Sequence, residues 1–353
     1  MTPIVPPGSP RCTAARFGEG RGPSLRRLRG PTLVAGLFLA ACGSGAGDAA
    51  PRESAADTSG ELPTAGTERF PLVPASAAID QVNRLPRNPL TEAIEADSAT
   101  AERIRFGYRV ARDPRAFGAA EFVGNDLACF SCHMNGGQRE GALPLVGVAG
   151  LFPQFRNRDD RMVSLRERID GCFMRSMNGT PPPPDHPVAL ALQAYIHWLS
   201  EGQPEGESPP WRGQNRIPEE ARLAIEDLDL SKGRRLYADK CAQCHGDDGQ
   251  GLDVGLATPA PLWGDRSWND GAGASRIWTF AGFIRYAMPL NAPGSLTDEE
   301  SQHIAAWVNS QDRPVFPTKA ADYPGGGRPG DAVYDTLVFP VHPLKARLGA
   351  DRP

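Results

Sequence analysis

Residues Cys129-Phe130-Ser131-Cys132-His133 have the pattern C-x-x-C-H, and the pattern returns at Cys241-Ala242-Gln243-Cys244-His245. This pattern attaches a c-type haem, because its two thiols bond to the macrocycle and its histidine binds the iron. A zinc site would need two C-x-x-C pairs close together in the chain, and a thioredoxin-like motif would need a βαβ context. The sequence meets neither condition. It therefore predicts two covalently bound haems c, with the two histidines as proximal ligands.

The first residues have the pattern of an export signal. A region with six arginines precedes an apolar run from Leu33 to Ala41, which is too short to span a bilayer. The run ends Leu39-Ala40-Ala41-Cys42, which is typical of a bacterial lipobox, with cleavage before Cys42 and acylation of its thiol. An ordinary signal peptide that happens to contain a cysteine is the alternative. We expect an exported, periplasmic protein, anchored to a membrane through a lipid on Cys42.

The charge balance argues against nucleic-acid binding. Without residues 1–41 the chain has 32 basic and 41 acidic residues. An acidic protein has no electrostatic attraction for a phosphate backbone. An anionic substrate would therefore need a local basic pocket rather than attraction by the whole molecule.

One cysteine has no assigned use among the seven. Cys12 lies in the predicted signal peptide, Cys42 is the predicted lipid site, and four thiols serve the two haems. The remaining thiol, Cys172, has no disulfide partner. An odd cysteine in an exported protein is either buried and inert or chemically active.

The chain has 353 residues, enough for two or three domains, and its 39 Gly and 35 Pro predict many turns and connections. Helical periodicity flanks both haem runs, and the two runs lie about 112 residues apart. We therefore predict an all-α fold of two tandem cytochrome c domains, each wrapped around a covalent haem. The predicted divisions are a signal peptide at 1–41, a tether and extended wrap at 42–96, a first cytochrome c domain at 97–201, a linker at 202–217, a second cytochrome c domain at 218–314, and a Pro/Gly-rich tail at 315–353.

Local signals place the helix ends. Ser164 with Glu167, and Thr297 with Glu300, are predicted capping boxes. The helix that begins at Ser164 is expected to end near 178–179, and Asp185 is expected to cap the next helix.

Each haem needs a sixth ligand. Met288 follows His245 by about 43 residues and precedes a proline, which suits a His/Met electron-transfer haem; a core-filling methionine is the alternative. The candidates in the first domain are Cys172, Met174, Met177 and His186. Cys172 follows His133 by about 39 residues, so the matched offset favours it. Met177 on the iron, with Cys172 merely buried, is the alternative.

Basic residues surround Cys172. Arg168, Cys172 and Ser176 recur every four residues, so they share one helix face. Such a cluster is often only solvated surface. However, guanidinium groups around a thiol lower its pKa and attract small oxyanions. The pattern indicates a redox-active thiol beside an anion pocket, and so suggests sulfur oxyanion chemistry.

Over residues 90–315 the chain resembles the dihaem thiosulfate dehydrogenases, whose first domain is similar to the SoxA cytochromes of sulfur oxidation. The most specific stretch is RIDGCFMRSMNG, from Arg168 to Gly179. Further matching stretches are GNDLAC at 124–129, CHMNGG at 132–137, YIHWL at 195–199 and YAMP at 286–289.

The resemblance implies His133/Cys172 ligation at the first haem and oxidation of two thiosulfates to tetrathionate there. It also implies that Cys172 bonds to the substrate sulfur, and that Arg158, Arg168 and Ser176 bind the anion. Electrons would pass through the His245/Met288 haem to an external cytochrome. The alternatives are a dihaem electron carrier without its own substrate and a SoxA-like subunit that loads sulfur onto a carrier protein.

Overall fold

The computed structural model describes residues 72–73, 84–254 and 259–332. The predicted signal peptide, the lipid site at Cys42, most of the tether and residues 333–353 of the tail lie outside these ranges. Within them the fold is almost entirely helical, as predicted, and no helix there is long and apolar enough to cross a membrane.

The first half contains four α-helices and one small hairpin. The side chain of Asp97 caps the first helix by accepting from the Thr100 amide. Ile104, Gly107 and Tyr108 lie on its buried face, as the periodicity predicts. The elements in chain order are α1 (Ser98–Arg112), α2 (Met134–Gly137), strands β1 (Gln154–Arg156) and β2 (Arg161–Val163), α3 (Leu165–Arg175) and α4 (Pro187–Ser200). The antiparallel hairpin lies directly before α3.

The second half repeats this arrangement with α5 (Leu230–Lys240), α6 (Ala242–His245), α7 (Ile277–Ala287) and α8 (Asp298–Ser310). Its first and last helices pack together, as α1 and α4 do in the first half. Both crossings depend on a glycine. A Cβ on Gly107 would overlap the carbonyl of Ala191, and a Cβ on Gly233 would overlap the carbonyl of His303. The close helix pair is therefore a shared feature of the two halves.

Both predicted capping boxes are confirmed. Ser164 and Thr297 each accept from an amide of the first turn, and Glu167 and Glu300 bond back to the cap amides. The prediction for α4 was wrong, because His186 rather than Asp185 is its cap and accepts from the Val188 amide at 3.3 Å. A proline at the first helical position follows His186, which moves the helix start one residue along.

The connection at 202–217 has no regular secondary structure, as a linker should, but it is packed against the protein. Trp211 donates its indole N–H to the Val146 carbonyl at 3.0 Å, and Ile217 is buried. The segment therefore contacts both halves, with Trp211 beside the first and Ile217 in the core of the second, and its side chains can contribute to a site there.

The tail also packs against both halves over its described residues. Asp322 accepts two hydrogen bonds from the Arg175 guanidinium, at 2.6 and 2.8 Å, and only 5% of the Asp322 side chain is exposed. Asp331 bonds to Arg276 and to the Trp278 amide at the start of α7. Asp322 thus holds the end of α3, whereas Asp331 holds the start of α7.

Replacing Asp322 with Asn should loosen the end of α3, because Arg175 loses its charged partner in a mostly buried position. We expect a loss of about 1.5–3 kcal/mol in the free energy of unfolding, measured by denaturant titration. Amide exchange should become faster in α3. Asp331→Asn is the matched control, since it should destabilise the protein without accelerating exchange in α3. Equal exchange rates for α3 in the two variants would contradict this role of Asp322.

Candidate functional site

The first haem run forms a tight turn that presents its histidine to a cavity. Cys129–Ser131 is a single 3-10 turn, and the His133 amide donates to the Cys129 carbonyl at 3.0 Å. Nδ1 of His133 bonds to the carbonyl oxygen of Leu143 at 2.6 Å. Since a carbonyl only accepts, Nδ1 carries the proton and Nε2 keeps its lone pair. This is the arrangement of a metal-binding imidazole.

The cavity brings together the groups that a covalent haem requires. The cavity is lined by Cys129, Cys132 and His133, and Cys172 of α3 lines it as well. Burial, with a smaller contribution from the neighbouring Cys172, raises the pKa of the Cys129 thiol to about 12 and that of the Cys132 thiol to about 11. The remaining lining is mostly apolar, with Leu127, Leu145, Val148, Leu151, Leu165, Ile169, Leu192 and Ile196. These side chains fit a covalently attached haem.

Two of the four candidate sixth ligands lie on this cavity, Cys172 and Met177. His186 is used elsewhere, since it caps α4 and packs its ring edge-on against Phe122 at 4.9 Å between centroids. Met174 is not among the residues that line the cavity. The structure therefore narrows the choice to Cys172 and Met177.

Arg168 and Ser176 accompany Cys172 on the cavity wall, which places all three on one face of α3 and its C-cap. Burial lowers the pKa of His133, and the charge of Arg168 contributes to this lowering. Arg168 is an exposed residue that also lines the cavity. A small anion entering from solvent would meet it close to Cys172.

The structure does not bring Arg158 to this cavity. Its Nη1 donates to the Gly271 carbonyl at 2.7 Å, and its Nε lies 3.8 Å from the Asp322 carboxylate. Only 18% of the side chain is exposed. Arg158 therefore contacts the second half and the tail, and it is not among the residues that line the cavity.

Three polar residues on the wall were missed as site residues. Gln154 and Arg156 belong to β1, and Arg212 comes from the connection at 202–217. Burial, together with the charges of Arg168 and Arg158, lowers the pKa of Arg156 to about 10. Arg156 was only one of many arginines near Cys172 in the sequence, and Arg212 had no local pattern to mark it.

The cysteine and histidine side chains of the second haem run are also largely shielded from water. His245 ends α6, and burial lowers the pKa of its imidazole. Met288 follows α7 directly and, like Cys241, packs half-buried against the core of the second half. Burial raises the pKa of the Cys241 thiol to about 12. Two thiols, an imidazole and a thioether beside one core fit a covalent haem with His/Met ligation.

A tyrosine holds the chain after each haem run. Tyr195 of α4 donates to the Gly136 carbonyl, and Tyr237 of α5 donates to the Gly246 carbonyl, both at 2.7 Å. The two runs are therefore anchored by the same kind of bond from their helix pairs.

Two family models match the chain. The "SoxA/TsdA, cytochrome c domain" model matches residues 119–204, and the "Cytochrome C oxidase, cbb3-type, subunit III" model matches residues 228–308. Each match contains one haem run. The all-α fold is thus a tandem of two cytochrome c domains, a class of domain that binds haem c.

Curated relatives match both domains together. A thiosulfate dehydrogenase of Stutzerimonas stutzeri is 43% identical over 62% of this chain and 70% of its own length. A thiosulfate dehydrogenase of Allochromatium vinosum is 42% identical over 65% of this chain and 85% of its own length.

A solved structure agrees with these relatives. The thiosulfate dehydrogenase TsdBA from Marichromatium purpuratum, in its "as isolated" form, is 35% identical with a TM-score of 0.61. The alignment covers 68% of this chain and 53% of that one, so this chain spans about half its length. The identity and coverage of the relatives show that this chain belongs to the thiosulfate dehydrogenase family of c-type cytochromes.

Proposed function

We propose that this protein oxidises two thiosulfate ions to tetrathionate at Cys172 and passes the electrons to an external cytochrome. The observation that carries the proposal is the position of Cys172. This thiol belongs to neither haem run, yet it lines the first haem cavity together with Arg168 and Ser176. A thiol beside a guanidinium and a hydroxyl can hold a sulfur oxyanion and bond to its outer sulfur.

The residues of the pocket have separate tasks. Arg168 neutralises the sulfonate end of thiosulfate, and the hydroxyl of Ser176 donates a hydrogen bond to it. The outer sulfur then lies against Cys172, and an S–S bond forms between them as two electrons leave. When bound, the two haems c accept these electrons one at a time. A second thiosulfate attacks the outer sulfur, so tetrathionate departs and Cys172 returns to a thiolate.

The second domain gives the electrons a route out. His133/Cys172 and His245/Met288 are the proposed ligand pairs of two haems c. Thiolate ligation would lower the reduction potential relative to His/Met ligation, so transfer from the first site to the second would be downhill when both haems are bound. We place the enzyme in the periplasm, where the lipid on Cys42 would hold it at a membrane beside its acceptor.

Low-temperature EPR tests the ligands directly. The oxidised protein should show one low-spin thiolate-ligated haem and one His/Met haem. Met177→Leu is the matched control, because Met177 is the other candidate on the cavity wall, and it should leave the thiolate signal unchanged. Two His/Met haems and no thiolate-ligated haem in the wild-type protein, with one of the two signals changed in Met177→Leu, would reverse the assignment.

Cys172→Ala tests covalent catalysis. It removes the proposed ligand and the proposed sulfur acceptor, and it leaves both haem runs intact. We expect a folded dihaem protein whose second haem still exchanges electrons with ascorbate, while thiosulfate turnover falls to background. Turnover above about a tenth of wild type would mean that Cys172 forms no essential adduct. The electron-carrier alternative predicts no turnover in either protein.

Arg168→Gln tests the anion pocket. Loss of a charged hydrogen bond, about 1.5–3 kcal/mol, should lower kcat/KM for thiosulfate by roughly 10- to 100-fold. Arg166→Gln is the matched control on the same helix, since Arg166 bonds to Asp170 and to the Pro182 carbonyl outside the cavity. Arg158→Gln should likewise lower kcat/KM less than Arg168→Gln does, because Arg158 donates to the Gly271 carbonyl instead of lining the cavity. Equal losses in all three variants would place Arg168 outside the pocket.

A further inference from the structure

The last turn of α3 contains Cys172, so the position of this thiol depends on how the end of the helix is held. The final backbone carbonyls of an α-helix lie beyond its own hydrogen-bond ladder. They need donors from elsewhere, because a buried carbonyl without a partner destabilises the fold. The groups that supply these donors therefore determine where the last turn of α3 lies.

Donors from the first half pair with four of the six carbonyls from Cys172 to Met177. These donors are the Ser176 amide for Cys172, the Gly179 amide for Phe173, the Asn125 side-chain amide for Ser176 and the Gly124 amide for Met177. The other two carbonyls belong to Met174 and Arg175, which are the last two residues of the helix. Both follow Cys172 within three residues.

A single residue of the second half, Asn269, pairs with both of these carbonyls. Its side-chain Nδ2 donates to the Met174 carbonyl at 2.8 Å, and its backbone N–H donates to the Arg175 carbonyl at 3.2 Å. Asn269 has 0% of its surface exposed, so water cannot replace these bonds. The carboxyl end of a helix in the first domain is thus capped by a residue of the second domain.

Contacts within the second half and the tail fix the direction of Asn269. Its Oδ1 accepts from the Gly271 amide at 3.1 Å, and its backbone carbonyl accepts from the Ser275 hydroxyl at 2.9 Å. The next residue, Asp270, forms an ion pair with Lys319 at 2.5 Å, and 1% and 2% of these side chains are exposed. None of these groups lines the first haem cavity, so a bound haem does not compete for the bonds.

The cap also changes the electrostatic surroundings of Cys172. The carboxyl end of an α-helix carries roughly half an elementary negative charge, which disfavours a thiolate in the last turn. N–H donors on the Met174 and Arg175 carbonyls offset part of this charge. Asn269 therefore gives a thiolate at Cys172 both a fixed position and less negative surroundings.

We propose that Asn269 is a positioning residue for the reaction at Cys172. This inference rests on the proposed function. Asn269 touches neither the substrate nor the cavity, and it acts only through the last turn of α3. A displaced nucleophile loses rate more than affinity, because the reacting atoms no longer align. Arg168 lies one turn earlier on the helix, so anion binding depends less on the cap.

Asn269→Ala in the dihaem holoenzyme tests this role. We expect kcat for thiosulfate to fall by about tenfold or more, while KM changes by less than about threefold. The EPR signal of the thiolate-ligated haem should shift or broaden, and its reduction potential should change. The signal and potential of the His/Met haem should stay as in wild type.

Asn309→Ala is the matched control. Asn309 is also a buried asparagine of the second half, and its Nδ2 donates to the Ala274 carbonyl at 2.9 Å, within the same half. This variant also leaves one buried carbonyl without its partner, so it should lower stability to denaturant as Asn269→Ala does. It should leave kcat and the signal of the first haem unchanged.

Asn269→Asp is a second variant for the case in which the alanine variant assembles poorly. Its side chain keeps the size of asparagine and can still accept from the Gly271 amide, but it has no N–H for the Met174 carbonyl. We expect the same fall in kcat and the same change at the first haem. Haem content should be measured for every variant, so that kinetic values refer to dihaem protein.

Two outcomes would overturn the inference alone. Equal losses of kcat in Asn269→Ala and Asn309→Ala, with the first haem unchanged in both, would mean that Asn269 only stabilises the fold. A raised KM with unchanged kcat would mean that Asn269 affects binding rather than the position of the thiol. The absence of a thiolate signal and of thiosulfate turnover in wild type would instead overturn the proposed function itself.

Discussion

The hydrogen bond from His133 Nδ1 to the Leu143 carbonyl, at 2.6 Å, is the contact that orients the first site. It determines which ring nitrogen is available for iron. Leu143 adopts a left-handed backbone conformation with φ of 52°, which a leucine rarely occupies without support. Its side chain packs into the core of the second half, against the same cluster as Met288. The imidazole of one site is therefore held in place by the core that surrounds the other.

The opposite ligand candidate depends on the second half in the same way. The end of α3, three residues after Cys172, is held by bonds from Arg175 to Asp322 of the tail and to the Gly271 carbonyl. Asn269 adds a bond from its side-chain amide to the Met174 carbonyl at 2.8 Å. A thiolate must be positioned closely to act as both ligand and nucleophile. The second domain and the tail thus support the first cavity from two directions, in addition to their proposed role in electron transfer.

Features that depend on neighbouring residues could be predicted from the sequence, and features that depend on folding could not. The haem runs, the two capping boxes and the shared face of Arg168, Cys172 and Ser176 all depend on spacing within one turn or one helix. Arg212 enters the cavity only because the connection folds back onto the first half. The position of the Arg158 side chain depends on its hydrogen bond to the Gly271 carbonyl, more than a hundred residues away in the chain. No local pattern carries information about such contacts.

The protein is acidic overall, whereas the cavity at Cys172 is lined by arginines. The chain has a formal net charge of −4, so its long-range field does not attract a dianion. Affinity for thiosulfate must therefore come from short-range contacts with guanidiniums that line the cavity. Such contacts are strong only where water is partly excluded, because a lower local dielectric strengthens each charge pair. The half-buried Arg156 meets this condition, whereas Arg168 and Arg212 remain open to solvent. Of the three arginines, Arg156 is thus the one whose contact with an anion would be strengthened most by its surroundings.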